Sequence, residues 1–147
     1  MKQISRSALV SFSAEQMFDL VNDVSKYHEF LPGCSGSRVI ESSSNAMVAS
    51  VDVSKAGISK TFTTSNSLVE NEAIMMNLVD GPFKALKGGW FFTSLDENAC
   101  KVELKLEFEF SSKMIEMAFG KIFNELTNNM VNAFTQRAKQ VYPLYEY

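Results

Sequence analysis

One histidine, two cysteines and three prolines are all that this 147-residue chain carries of those residue types. Each scarcity closes off a class of chemistry. His28, Cys34 and Cys100 are too few and too scattered to supply the clustered ligands that a zinc site requires. Two cysteines do not make a disulfide framework in a chain of this length. His28 sits between Tyr27 and Glu29 with neither an orienting partner nor a nucleophile nearby in sequence, so it reads as exposed and inert. Cys34 would act as a nucleophile only beside a cation or base that lowered its pKa, and it reads as a small buried hydrophobe instead. A basic excess is also missing: 14 Lys and Arg stand against 17 Asp and Glu, for a net charge of −3. Proteins that grip phosphates need the opposite balance, so DNA is excluded as a general partner. Lys84 with Lys87, and Arg137 with Lys139, read as solvated charge. No apolar run reaches signal-peptide or membrane-spanning length. The expected compartment is therefore the cytoplasm, with at most a passing contact with a membrane surface.

What the chain does have is bulk of an unusual kind, twelve Phe and eight Met. Phe supplies large buried surface, and Met is flexible and fills irregular space. A chain this long buries roughly 68–70% of its unfolded surface, enough for a core without metal or disulfide help. The mixture predicts a loosely filled interior. No linker, repeat or composition break divides the sequence, so residues 1–147 read as one domain.

The hydrophobic period changes twice. Residues 3–12 alternate weakly through Ile4, Ala8, Val10 and Phe12, as a strand does. Ser13 then opens a helix with Gln16 at capping-box spacing, and Ala14, Met17, Phe18, Val21 and Val24 share its inner face. From about 38 to 110 the period is two. Residues 100–110, CKVELKLEFEF, place Val102, Leu104, Leu106, Phe108 and Phe110 on one side and charged residues on the other. That is a half-buried strand with one wet face, typical of antiparallel sheets. Turn signals at 42–45, 56–57, 70–72, 80–83 and 96–99 divide this region into six strands. From Ser112 to about Tyr142 the period returns to that of a helix of about 30 residues and about 45 Å, ended by Pro143. Gly120 inside it calls for close packing or a bend.

This order predicts an α+β fold, a curved antiparallel sheet of seven strands wrapped around the C-terminal helix. A curved sheet and a straight cylinder touch along a line, which leaves room for an apolar cavity. Tyr27, Phe30 and Leu31 recur at helical spacing and end at Pro32 and Gly33, a structural corner whose bulky side chains are placed to act as a lid. Asp80-Gly81-Pro82-Phe83 reads as a turn, or as a turn whose Phe83 folds over the mouth beside Leu86. Trp90 is a core or wall residue, and Val51, Phe62 and Leu106 belong to the sheet's inner face. On the helix, Phe123, Met130 and Phe134 are placed to face the void. Asp52, Asp80 and Glu103 read as solvated carboxylates, so no acid–base pair is available for catalysis.

Three segments carry a family likeness: 27–39 (YHEFLPGCSGSRV), 80–92 (DGPFKALKGGWFF), and 108–120 with 130–139 (FEFSSKMIEMAFG, MVNAFTQRAK). Together they resemble the START-like, polyketide-cyclase-type family, which includes coenzyme Q-binding proteins and bacterial ribosome-association toxins. Residues 51–64, VDVSKAGISKTFTT, are similar to the toxin branch. The resemblance implies a helix-grip fold, no catalytic residue and no cofactor. It also implies binding of a hydrophobic small molecule, ubiquinone or a similar polyprenyl lipid, in support of respiration. Burying about 300 Å² of isoprenoid tail at about 25 cal/mol per Å² would give a gross ~7 kcal/mol. The alternative it implies is a toxin that binds the large ribosomal subunit and blocks subunit association. A cyclase or aromatase activity would need an acid–base pair that the sequence does not offer. Where family members often carry Pro after the tyrosine and Trp before the cysteine, His28 and Gly33 stand here, so no stacking role carries over at the second position.

Overall fold

The computed structural model describes residues 1–142. Strand β1 (Lys2–Val10) leads into α1 (Ala14–Asn22), a 3-10 turn (Val24–Glu29), six strands and α2 (Lys113–Val141). The strands are β2 (Cys34–Ser42), β3 (Ala46–Lys55), β4 (Ile58–Val69), β5 (Ala73–Asp80), β6 (Phe83–Asp96) and β7 (Ala99–Phe110). All pairings are antiparallel, in the spatial order β1-β7-β6-β5-β4-β3-β2. The meander is thus continued by β1, which lies beside β7 with Ile4 opposite Leu106 and Ala8 opposite Val102.

Local sequence explains each element. Ser13 Oγ accepts from Gln16 N–H while the Gln16 side chain accepts from Ser13 N–H, the reciprocal pair that satisfies two orphan donors of α1. Ser112 Oγ caps α2 by accepting from Ile115 N–H at 3.1 Å. In β7 every second residue from Cys100 to Phe110 is buried, as its alternation predicts. Gly88, at φ +145°, lies so near β7 that a Cβ there would sit 2.0 Å from the Lys105 carbonyl oxygen. Its neighbour Gly89 is also tight against β5, where a Cβ would sit 2.5 Å from the Ile74 carbonyl oxygen. Two adjacent glycines therefore let three strands close up at the middle of the sheet.

At 29 residues α2 spans about 44 Å at 1.5 Å per residue. Its buried stripe is Phe119, Gly120, Phe123, Leu126, Thr127, Val131, Phe134 and Ala138. Val141, the last residue of the helix, is 44% exposed. Gly120 packs closely, with Phe110 Cε2 3.7 Å from where its Cβ would be. Polar contacts hold the helix along both flanks: Lys2–Glu116 at 3.0 Å, Arg6–Asn128 at 2.6 Å, Arg137–Glu29 at 2.8 Å, and Lys55–Glu125. Each is exposed and contributes at most about 1 kcal/mol, so they orient more than they stabilise. The end of α2 is tied to α1, where Tyr142 O–H donates to the Gln16 carbonyl at 3.1 Å. Pro143, the expected helix stop, lies outside the described residues.

One expectation needs correction, that of a loose interior, and the long helix has a partner over the sheet. α2 does not cover the sheet alone: α1 buries Met17, Phe18, Leu20 and Val21, and Phe18 meets Phe92 of β6 edge-on at 5.8 Å. Nor is the interior loosely filled. Phe62, Phe83, Phe108, Phe110, Phe119 and Phe123 form one cluster, largely of tilted and edge-to-face rings, with centroids as close as 4.9 Å. The wedge left between a curved sheet and a straight rod is filled by rings, which are long enough to reach across it.

Candidate functional site

What remains of the wedge is a hollow of about 60 Å³ between the 3-10 turn, β3 to β7 and α2. The 3-10 turn and the residues after it contribute Val24, Tyr27 and Leu31. Ala49, Val51 and Phe62 come from β3 and β4, and Met76, Trp90 and Leu106 from β5 to β7. Phe123, Leu126, Thr127 and Met130 close it from the helix. None of the lining residues is Asp, Glu, His, Lys, Arg or Cys. By comparison, a cavity of about 150 Å³ admits benzene and ligand pockets commonly run to about 300–1,000 Å³. The hollow is thus real but closed down, and a ring-sized guest requires its walls to move.

Of the residues expected to surround a ligand, Tyr27, Leu31, Val51, Phe62, Trp90, Leu106, Phe123 and Met130 come together here. Phe30, Phe83 and Phe134 do not line it. Phe83 is 5% exposed but sits one layer back, stacked on Phe110 at 5.3 Å. Phe134 lies behind Tyr27 and Trp90, 5.1 and 5.2 Å from their rings. Phe30 is half-buried, its ring edge-on to Phe134 at 5.2 Å with the Arg137 guanidinium over it at 4.9 Å. All three shape the walls from behind.

The corner at 27–34 is held from within. Tyr27 O–H donates to the Val21 carbonyl, and burial pushes its phenol well above the ordinary range. Leu31 N–H donates to the Tyr27 carbonyl at 2.9 Å and Cys34 N–H to the Leu31 carbonyl at 3.0 Å, while Gly33 takes φ +88° to turn into β2. His28 is exposed, its ring Nδ1 3.4 Å from Ser37 Oγ. Both thiols are buried and raised by that burial, Cys100 to about 11. A raised thiol is a poor nucleophile at neutral pH. Among the described residues no three His, Cys, Asp or Glu side chains gather to hold a metal ion.

Among the lining residues that sequence reasoning missed are two polar side chains of one strand. β4 alternates with Phe62, Thr64, Asn66 and Leu68 turned inward, so two polar side chains reach the hollow, 7% and 5% exposed. Thr64 Oγ1 donates to Asn66 Oδ1 at 2.8 Å. In a strand rich in Thr and Ser on both faces, nothing in the pattern told inward from outward. Asp52, expected to be merely solvated, is bound by Arg38 at 3.0 and 3.2 Å and by Thr61 Oγ1 at 2.6 Å. The Arg38 and Thr61 hydrogen bonds hold its carboxyl below the usual range. Glu103 lies 3.8 Å from both Lys101 and Lys105 on the outer face, and Asp80 is exposed.

A curved seven-stranded antiparallel sheet gripping a long C-terminal helix over an apolar hollow defines the helix-grip, START-like class. Within it, the chain belongs to the family described as polyketide cyclase / dehydrase and lipid transport, whose model matches residues 10–135. It is 81% identical over 142 residues to a Vibrio cholerae serotype O1 protein named ribosome association toxin RatA, covering 97% of this chain and 99% of that one. It is 28% identical to the Xenopus laevis protein named coenzyme Q-binding protein COQ10 homolog B, mitochondrial, across 95% of this chain and 59% of that one. The solved structure of the ZhuI aromatase/cyclase from Streptomyces sp. R1128 superposes with a TM-score of 0.84 at 16% identity, covering 97% of this chain and 96% of that one. At that identity the likeness is one of fold.

Proposed function

We propose that the chain is a non-enzymatic ribosome-association factor of the cytoplasm, binding the large ribosomal subunit and blocking its joining to the small one. The observation that carries this reading is 81% identity, across 97% of the chain, to a protein named for ribosome association. The site agrees with a role outside enzymology. General acid–base catalysis needs a group that exchanges protons near neutrality, and the walls of the hollow carry none. With a net charge of −3, the contact would rest on a specific surface more than on bulk attraction to phosphate, so its salt dependence should be shallow. Sedimentation with purified large subunits through a sucrose gradient at physiological salt tests this. Comigration, with fewer joined particles when small subunits are added, is expected. A protein that stays at the top of the gradient and leaves joining unaffected refutes it.

A second reading is favoured by the hollow itself and by the likeness to a coenzyme Q-binding protein. Here the interior takes a hydrophobic molecule, ubiquinone or a similar polyprenyl lipid, in support of respiration. Met76 and Met130, the flexible side chains on its wall, are the natural ones to swing aside. Extraction of the purified protein should release an isoprenoid quinone, and repeated empty extractions would remove this reading. One role uses the interior and the other the exterior, so the two are compatible.

A further inference from the structure

Asn66 is the one carboxamide on the wall of the hollow, and its surroundings make it costly. Its cross-strand neighbours are Met47 on β3 and Met76 on β5, both apolar. The residue is 5% exposed, and its only side-chain hydrogen bond among the described residues is the one its Oδ1 accepts from Thr64. Nδ2, with two N–H groups, has no protein acceptor there. Among the described residues the fully occluded side-chain atom without a partner is Asn22 Oδ1, so Nδ2 is not wholly sealed off; unpaired, it costs at most about 1–3 kcal/mol, which an apolar residue at this inward position would remove. In this structure the Thr64 hydroxyl donates to Oδ1, which leaves the donor end of the amide for the hollow. On the opposite wall the Thr127 hydroxyl donates to the Phe123 carbonyl at 3.0 Å and makes no bond to Asn66.

We infer that Asn66, oriented by Thr64, is the recognition point of the hollow, and that the occupant is an apolar molecule presenting a hydrogen-bond-accepting oxygen such as a ring carbonyl. This rests on the reading that the interior binds a hydrophobic molecule, and adds to it a chemical selectivity: oxygen-bearing guests over hydrocarbons of the same shape. A site built around a buried donor rejects an analogue that lacks the acceptor, because the donor is then desolvated for nothing. It also predicts opposed effects of one substitution. Asn66→Leu removes an uncompensated polar group and should raise the melting temperature, while abolishing the preference for the carbonyl.

Calorimetric titration of the purified chain with two probes tests this, a benzoquinone bearing one isoprene unit and a benzene ring bearing the same side chain without oxygens. Wild type should bind the quinone at least about tenfold more tightly than the hydrocarbon. Asn66→Leu should bind both alike, with hydrocarbon affinity kept or increased. Thr64→Val, which frees the amide to rotate, should lower the preference without losing hydrocarbon binding. Equal affinities in wild type, or an undiminished preference in Asn66→Leu, overturn the inference while leaving hydrophobic binding intact. Saturation by neither probe means that Nδ2 serves a cavity water only, and overturns both.

Discussion

Truncating Phe123 to alanine is the sharpest test of how this interior is filled. Phe123 is 1% exposed and its ring meets five others, Phe62, Phe83, Phe108, Phe110 and Phe119, at centroid distances from 4.9 to 6.1 Å. Losing a buried Phe side chain costs about 3–5 kcal/mol, the removed transfer energy plus the cavity left behind. The upper half of that range applies, because the surrounding rings are rigid and span between helix and sheet, so collapse into the gap is poor. A domain of this size is stable by roughly 7–20 kcal/mol at 0.05–0.15 kcal/mol per residue, so the variant should still fold. At about 2–4 °C per kcal/mol, its melting temperature should fall by about 8–20 °C. Urea titration followed by the fluorescence of Trp90, the single tryptophan, measures the free energy directly. Phe123 also lines the 60 Å³ hollow, so the new void should merge with it and admit benzene, which would restore part of the lost stability. Met114→Ala, at a position 79% exposed, is the matched control and should change stability by less than about 0.5 kcal/mol. A loss below about 1 kcal/mol for Phe123→Ala would refute the picture of rings bridging the wedge.

Other substitutions have signed outcomes. Gly120→Ala should stabilise by about 0.5–1 kcal/mol in thermal unfolding, since the new Cβ meets ordinary contact distances of 3.6 Å to Glu116 Cγ and 3.7 Å to Phe110 and the helix gains propensity. Gly88→Ala should give little folded protein on circular dichroism, because its Cβ would lie 2.0 Å from the Lys105 carbonyl oxygen at φ +145°. The Arg38 and Thr61 hydrogen bonds hold the Asp52 carboxyl below its usual range. Its contribution is therefore full above the unfolded value and lost as pH falls through the folded one, and Asp52→Asn should lower stability at pH 7 by less than about 1 kcal/mol given its exposure, a difference that shrinks on acidification. Cys34 and Cys100 should resist a thiol reagent at pH 8 in the native state and react rapidly once unfolded, since both thiols are buried and raised.

The parts of the fold that could be read from sequence were those where one physical signal acted alone. In CKVELKLEFEF, strict alternation fixed which face was buried, and Ser13 with Gln16 fixed a helix start. The meander order and the long helix followed from changes of period. What stayed hidden depended on neighbours far away in sequence. Thr64 and Asn66 face inward only because β4 is registered between Ala49 and Met47 of β3 and Leu78 and Met76 of β5. Phe30, Phe83 and Phe134 have the right period and the right chemistry, yet a second layer of rings stands between them and the hollow. Cavity size depends on how side chains interlock, and an abundance of Phe and Met, which suggested empty room, in fact filled it.

Whether the outer surface carries the function is decided by one gradient. Purified large ribosomal subunits would be sedimented at physiological salt with the wild-type chain and, separately, with Asn66→Leu, whose change is confined to the interior wall. Equal comigration of both proteins with the large subunit is the expected result. Both proteins remaining at the top of the gradient would contradict it.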